Sequence, residues 1–201
     1  MKILAIETSC DETAVALLNI ESEGNATHLR VLGNALLSQT ATHAPLGGVV
    51  PSLAKREHAR NLVPLLLTAL EQNSDTNHSH IRANVRMVDE KSAAHNLTAD
   101  LLGQIRKILS REEGLADALL AANPAKLEGL DAIAVTEGPG LEPALWVGIN
   151  FAKALALLWN VPVTPVNHME GHIFSSLLRR EDELQAPSSK FQVENYQLTT
   201  P

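Results

Sequence analysis

Residues 131–166 read DAIAVTEGPGLEPALWVGINFAKALALLWNVPVTPV, and this stretch decides the fold. Asp131 to Val135 is a short apolar run, Thr136-Glu137-Gly138-Pro139-Gly140 a tight loop, Leu141 to Trp159 a long apolar helix and Val163 to Val166 a second run. Parallel strands need a crossover between them, so strand, glycine loop, helix and strand in that order predict a βαβ unit.

Upstream, the apolar runs Lys2 to Ile6 and Thr13 to Ile20 flank the polar cluster Glu7-Thr8-Ser9-Cys10-Asp11-Glu12, which predicts a β-hairpin with a polar tip. Leu29 to Leu37 follows the turn-rich segment Glu21 to Thr27 as a third strand. An antiparallel meander joined to parallel strands makes a mixed sheet flanked by helices, an α/β fold. After a loop at Gly47-Gly48, Pro51 to Gln72 carries Leu53, Leu62, Val63, Leu66 and Leu70 at mostly helical intervals. Pro51 suits the first turn of that helix, and Pro64 should kink it. Asn73 to His80 is polar and reads as a loop, while Ala93 to Leu109 and Glu112 to Ala122 read as two further helices. The expected organisation is one domain over 1–180 with a helical insertion at 73–128. An extended tail at 181–201, with Pro187, Ser188 and Ser189, follows.

A chain of 201 residues with 45% hydrophobic composition can bury a core. Its 16 basic against 23 acidic residues give a formal charge of -7, which excludes gripping nucleic acid by charge alone. RNA contacts are therefore expected to be local or shared with partners. Cys10 is the only cysteine, so an intramolecular disulfide and a cysteine-rich zinc site are excluded, and a reducing cytoplasm is the expected compartment. The apolar run before Glu7 is shorter than the ~7–15 residues of a secretory core, and no signal peptide is read. Phe151 to Trp159, broken by Lys153, falls short of the ~20 residues that cross a bilayer, so no membrane span is expected.

His168 and His172 stand four apart in NHMEGH at the start of a predicted helix, with Asn167 as N-cap. On a helix both imidazoles project from one face, where they can chelate a divalent metal such as zinc or iron. Two ligands make half a site, and a third, expected to be a carboxylate, must come from elsewhere; an incidental pair is the bland alternative. A zinc-protease motif needs its glutamate directly after the first histidine, about 100° round the helix. Met169 holds that position and Glu170 lies about 200° round, which disfavours a peptidase.

Three further features have both a chemical and a structural interpretation. The hydroxyls, amides and carboxylates of Thr8 to Thr13 can receive phosphate or magnesium, or form a solvated turn. Gly138 and Gly140 before a helix can bind an anion, or simply permit a strand-to-helix turn. Lys55-Arg56 with Arg60, Arg106-Lys107 with Arg111, and Arg179-Arg180 are the RNA candidates, or else solvated helix faces. Cys10 is expected to be packed rather than reactive, and Trp146 and Trp159 to lie in the core.

Taken in order, ILAIETSCDETAVALL (3–18), GGVVPSLAKREH (47–58), AIAVTEGPGLEPALWVGINFAKALAL (132–157) and PVNHMEGH (165–172) resemble the successive motifs of the TsaD family. Departures are Ser52 where a glutamate is usual, Asn167 where another histidine is common, and Glu142-Pro143 where Gly-Ser often follows. The resemblance implies a ribonuclease-H-like domain of the actin-like ATPase superfamily. It also implies transfer of a threonylcarbamoyl group from threonylcarbamoyl-AMP to the exocyclic amine of the adenosine adjacent to the anticodon.

By the same resemblance, His168 and His172 are metal ligands for iron or zinc, and the third ligand is an aspartate of a second domain. Thr8, Ser9, Gly138 and Gly140 bind a nucleotide substrate, threonylcarbamoyl-AMP or ATP, and Asp11 or Glu12 organises the phosphates or accepts the amine proton. The implied partners are tRNA and other subunits of a threonylcarbamoyl transfer complex. The second domain is expected beyond Pro201, so the chain reads as truncated, with little or no activity alone. A non-catalytic scaffold of the modification complex and a metallo-glycoprotease are the alternatives.

Overall fold

The computed structural model describes residues 1–23, 26–76, 98–180 and 195–198. The remainder of the expected insertion (77–97) and of the expected tail (181–194 and 199–201) lies outside the described residues.

Three strands open the chain, β1 (Lys2–Glu7), β2 (Glu12–Glu23) and β3 (Ala26–Ser38). Two short turns of helix follow, α1 (Thr40–His43) and a 3-10 turn at Ala44–Leu46, before the long α2 (Pro51–Thr76), then α3 (Ala99–Ile108) and α4 (Leu115–Ala122). The expected βαβ unit is β4 (Leu130–Gly138), α5 (Glu142–Trp159) and β5 (Val163–Asn167). Next come α6 (His168–Ser175), β6 (Leu178–Arg180) and β7 (Asn195–Leu198). The strands form one mixed sheet in the order β5-β4-β1-β2-β3-β7-β6, and helices pack against it. The α/β class and mixed sheet expected from sequence are thus present.

β1 is an interior strand, antiparallel to β2 and parallel to β4. Successive side chains of a strand point to opposite faces, so Leu4 and Ile6 share one face and Ile3, Ala5 and Glu7 the other. Leu4 lies opposite Leu17 and Ile133, and Ile6 opposite Val15 and Val135, all buried. A slip of one residue would exchange this row for Ala5, Ala16 and Ala134, which fixes the register. Across the buried face lie α2, through Leu62, Val63, Leu66 and Ala69, and α5, through Val147, Phe151 and Leu155. Burying each large apolar side chain contributes about 1.5–3 kcal/mol. α2 lies so close to β3 that a β-carbon on Gly33 would overlap the carbonyl of Ala69.

Several sequence expectations are corrected. Glu21 to Glu23 and Ala26 to Thr27, expected within a turn-rich segment, are instead the paired far end of a ribbon, with Glu21 opposite His28 and Ser22 opposite Thr27. Cross-strand hydrogen bonding there overrides the polar local preference. Ile105, Leu109, Leu115 and Leu119, inside the segment expected to be inserted, belong to the same core as Phe151. Arg179 and Arg180 lie on strand β6, not on a helix face, and residues 195–198 of the expected tail pair with β3 and β6. Trp159 is buried and donates Nε1–H to Pro124 O at 3.0 Å, but Trp146 is 46% exposed, with Lys153 Nζ 5.4 Å above its ring. Thirteen residues turn roughly 220° on a helix, so the two indoles cannot share a face.

Candidate active site

Three segments meet beyond the C-terminal ends of the parallel strands: the hairpin tip after β1, the Gly138–Leu141 loop after β4 and α6 after β5. Ligand crevices of open α/β sheets lie at such ends.

The hairpin tip is fastened to α5. Thr8 is 1% exposed, and its Oγ1 donates to Ala144 O at 3.0 Å, so its side chain secures the helix start. Ser9 O accepts from Leu141 N at 2.7 Å. Gly140 permits this approach, because a β-carbon there would stand 2.6 Å from Ser9 O. Gly138 has φ +151°, rarely adopted by other residues, and pairs with Asn167 at the start of α6.

A second set of bonds, invisible in the sequence, holds the tip from the other side. His58, wholly buried, donates from Nε2 to Cys10 O at 3.1 Å. Its Nδ1 accepts from Thr13 Oγ1 at 2.7 Å and Gln39 Nε2 at 3.2 Å. His43 Nε2 donates to Gln39 Oε1 at 3.0 Å, and Gln39 N donates to Asp11 O at 2.7 Å. Burial pushes the His58 imidazole below its ordinary pKa. Cys10 has its thiol pushed up by burial and by Asp11, which agrees with a packed rather than a reactive cysteine. Asp11 is half-buried and Glu12 exposed, both at the rim where β2 begins.

Asn167 Oδ1 accepts from Met169 N at 2.8 Å and Glu170 N at 3.2 Å, the expected N-cap of α6. His168 and His172 then face each other, Nε2 to Nε2 at 3.0 Å, with rings at 87°. Metal–nitrogen bonds of about 2.0–2.1 Å at a tetrahedral angle place two imidazole nitrogens roughly 3.3 Å apart. The donor pair therefore fits one divalent ion, as imidazole suits zinc or iron. Among the described residues no third histidine, cysteine, aspartate or glutamate completes a metal-binding group with them. Glu170 is exposed.

Behind His168 stands Glu7, a residue that sequence reasoning left within the polar cluster without a role. His168 Nδ1 lies 3.4 Å from Glu7 Oε2 and 3.3 Å from Ser9 Oγ. Ser9 N donates to Glu7 Oε1 at 2.5 Å, and Thr136 Oγ1 donates to Glu7 Oε2. Burial alone would raise the Glu7 pKa, but hydrogen bonds from Ser9 and Thr136, with the nearby imidazole, hold it below its ordinary value. The available signal was periodicity: a carboxylate continuing the Ile3, Ala5 face at the end of an apolar strand.

Fold and site together define an α/β domain that joins a hydroxyl-and-carboxylate hairpin to an imidazole pair. Residues 30–83 and 106–191 match the model of the family described as TsaD: tRNA N6-adenosine threonylcarbamoyltransferase. The chain is 37% identical, over 191 residues and 95% of its length, to a tRNA N6-adenosine threonylcarbamoyltransferase of Thermomicrobium roseum. The chain belongs to the TsaD family. It spans 37% of that relative's length. YeaZ from Pseudomonas aeruginosa aligns over 83% of this chain and 43% of its own, at 20% identity and a TM-score of 0.35, a likeness too slight to argue from.

Proposed function

We propose that this chain carries part of the active site of a tRNA-modifying acyltransferase that moves the threonylcarbamoyl group from threonylcarbamoyl-AMP to the adenosine adjacent to the anticodon. Family membership supports the reaction class, and the facing Nε2 atoms of His168 and His172, 3.0 Å apart beside the hairpin tip, are the observation that carries it. The exocyclic amine attacks the carbamoyl carbon, the bond from that carbon to the phosphate oxygen breaks, and AMP leaves.

His168 and His172 would hold one divalent metal, iron or zinc, with a third ligand from outside the described residues. When bound, it supplies Lewis-acid polarisation of the carbamoyl carbonyl. Ser9 and the backbone around Gly138 and Gly140 shape the pocket for the nucleotide, threonylcarbamoyl-AMP or ATP, with the side chain of Thr8 bracing it. Asp11 or Glu12, at the rim, organises the phosphates or takes the proton that the amine loses. The acidic balance leaves tRNA to local contacts and to partner subunits in the cytoplasm. No described helix is long and apolar enough to cross a membrane.

The test combines this chain with the unmatched remainder of the Thermomicrobium roseum relative, threonylcarbamoyl-AMP and unmodified tRNA. Modified adenosine is read by nucleoside mass spectrometry. Modification with the wild-type chain and none with a His168→Ala, His172→Ala variant is the expected result. No modification with either, or equal modification with both, overturns the proposal.

A further inference from the structure

We propose that Glu7 is a positioning residue for the imidazole pair: it holds the proton of His168 on Nδ1 and so keeps the Nε2 lone pair turned toward Nε2 of His172. This rests on His168 and His172 being metal ligands and adds a residue to that same site.

A neutral imidazole carries one proton, and the nitrogen left free to bind a metal is set by the partner of the other. Two partners reach Nδ1 of His168, Ser9 Oγ at 3.3 Å and Glu7 Oε2 at 3.4 Å. A hydroxyl can donate or accept, so Ser9 alone leaves the tautomer undecided. An ionised carboxylate only accepts, and it therefore places the proton on Nδ1. Carboxylates set behind metal-binding histidines in this way orient the ring and raise its basicity.

Glu7 is itself held from two strands. Ser9 N–H, fixed by the tight turn after β1, donates to Oε1 at 2.5 Å, while Thr136 of β4 donates to Oε2. The side chain is 30% exposed and that of His168 29%, so water competes only in part. The contact joins residues 161 apart in sequence and ties the end of β1 to the first turn of α6.

Replacing the carboxylate with an amide predicts a specific fault. Ser9 N–H cannot turn away, so the oxygen of Glu7→Gln must stay opposite it. The NH2 group then faces Nδ1 and selects the opposite tautomer, with the proton on Nε2 where a metal should bind. Glu7→Asp keeps an acceptor-only group and should preserve the tautomer.

Two readouts on the full chain test this. Zn2+ affinity is measured by competition with a chromophoric chelator, and the metal-free tautomer of His168 by 15N NMR of its ring. Wild type should show Nδ1–H. Glu7→Gln should shift to Nε2–H and bind Zn2+ about 10–100-fold more weakly, the usual cost of losing such a partner, with Glu7→Asp closer to wild type. Unchanged tautomer and affinity in Glu7→Gln overturn the role of Glu7 and leave the metal site standing. Failure of wild type to bind Zn2+ overturns the metal site, and the tautomer comparison then decides the role of Glu7 by itself. An Nε2–H tautomer in wild type overturns it outright.

Discussion

Thr13 Oγ1 lies 2.7 Å from Nδ1 of His58, and neither side chain has any exposure to solvent. The bond fastens the start of β2 to the N-terminal third of α2, and the other ring nitrogen of His58 reaches the Cys10 carbonyl. One imidazole thus spans the hairpin tip that carries Asp11 and Glu12.

Replacing His58 with Leu leaves the Thr13 hydroxyl, the Gln39 amide and the Cys10 carbonyl without this partner. Each buried orphan costs about 1–3 kcal/mol, and partial relaxation should leave a loss of roughly 3 kcal/mol. Urea unfolding reads the difference; a change within experimental error would remove the network from the stability of the tip.

Acid should weaken the fold through the same residue. Glu7, Asp11 and the Cys10 carbonyl favour the protonated ring and His43 opposes it, but burial outweighs them and lowers the folded pKa below the ordinary 6.5. Below about pH 6.5 the unfolded chain therefore binds more protons than the folded one. The contribution of His58 is present above that pH and is lost as pH falls through the folded value. Urea midpoints between pH 7.5 and 5 should fall more steeply for wild type than for His58→Gln.

Gly140→Ala should displace the hairpin tip, since the new β-carbon would meet Ser9 O at 2.6 Å and Ser9 Cβ at 2.9 Å. Both obstacles are near the backbone and cannot swing aside. A stability loss of about 1–3 kcal/mol, the usual cost of overpacking, is expected from thermal melts. Zn2+ affinity should fall with it, because Ser9 carries the contact to His168.

Phe151→Ala tests the core apart from the site. The ring, on α5, is wholly buried in the core cluster, and its removal should cost about 3–5 kcal/mol in urea unfolding.

Zinc at a hundredfold excess over its Kd should raise unfolding stability by about 2.7 kcal/mol, provided the unfolded chain does not bind it. His172→Ala should abolish the rise. A shift that persists in the variant would place the bound ion elsewhere.

The sequence made the βαβ unit, the hairpin and the N-cap of α6 legible, because each rests on local periodicity or a local hydrogen bond. The pairing of His168 with His172 follows from helical spacing in the same way. What stayed hidden depends on distant chain segments. Glu7 acquires its role only when β4 and α6 arrive, and His58 looks like any helix histidine until Gln39 and Thr13 close over it. The far end of the β2–β3 ribbon stayed unread because polar residues there suit a turn equally well until the partner strand is known. Trp146 is expected in the core because its helix is apolar overall, but it lies on a different face from the buried Trp159 and is exposed.

The bonds that assemble the site have a bearing on how the chain reaches its fold. Thr8 to Ala144 spans 136 residues, Ser9 to His168 spans 159 and Thr136 to Glu7 spans 129, so each closes a loop of well over half the chain. Closing such loops costs entropy before the long-range contact repays it, and contacts of this separation slow folding. A polypeptide still emerging from the ribosome can form the β1–β2 hairpin but not the imidazole cradle. If His168 and His172 hold a metal as proposed, zinc affinity reports completed topology, because the contacts of Glu7 and Ser9 behind His168 form only once β1 and α6 have met.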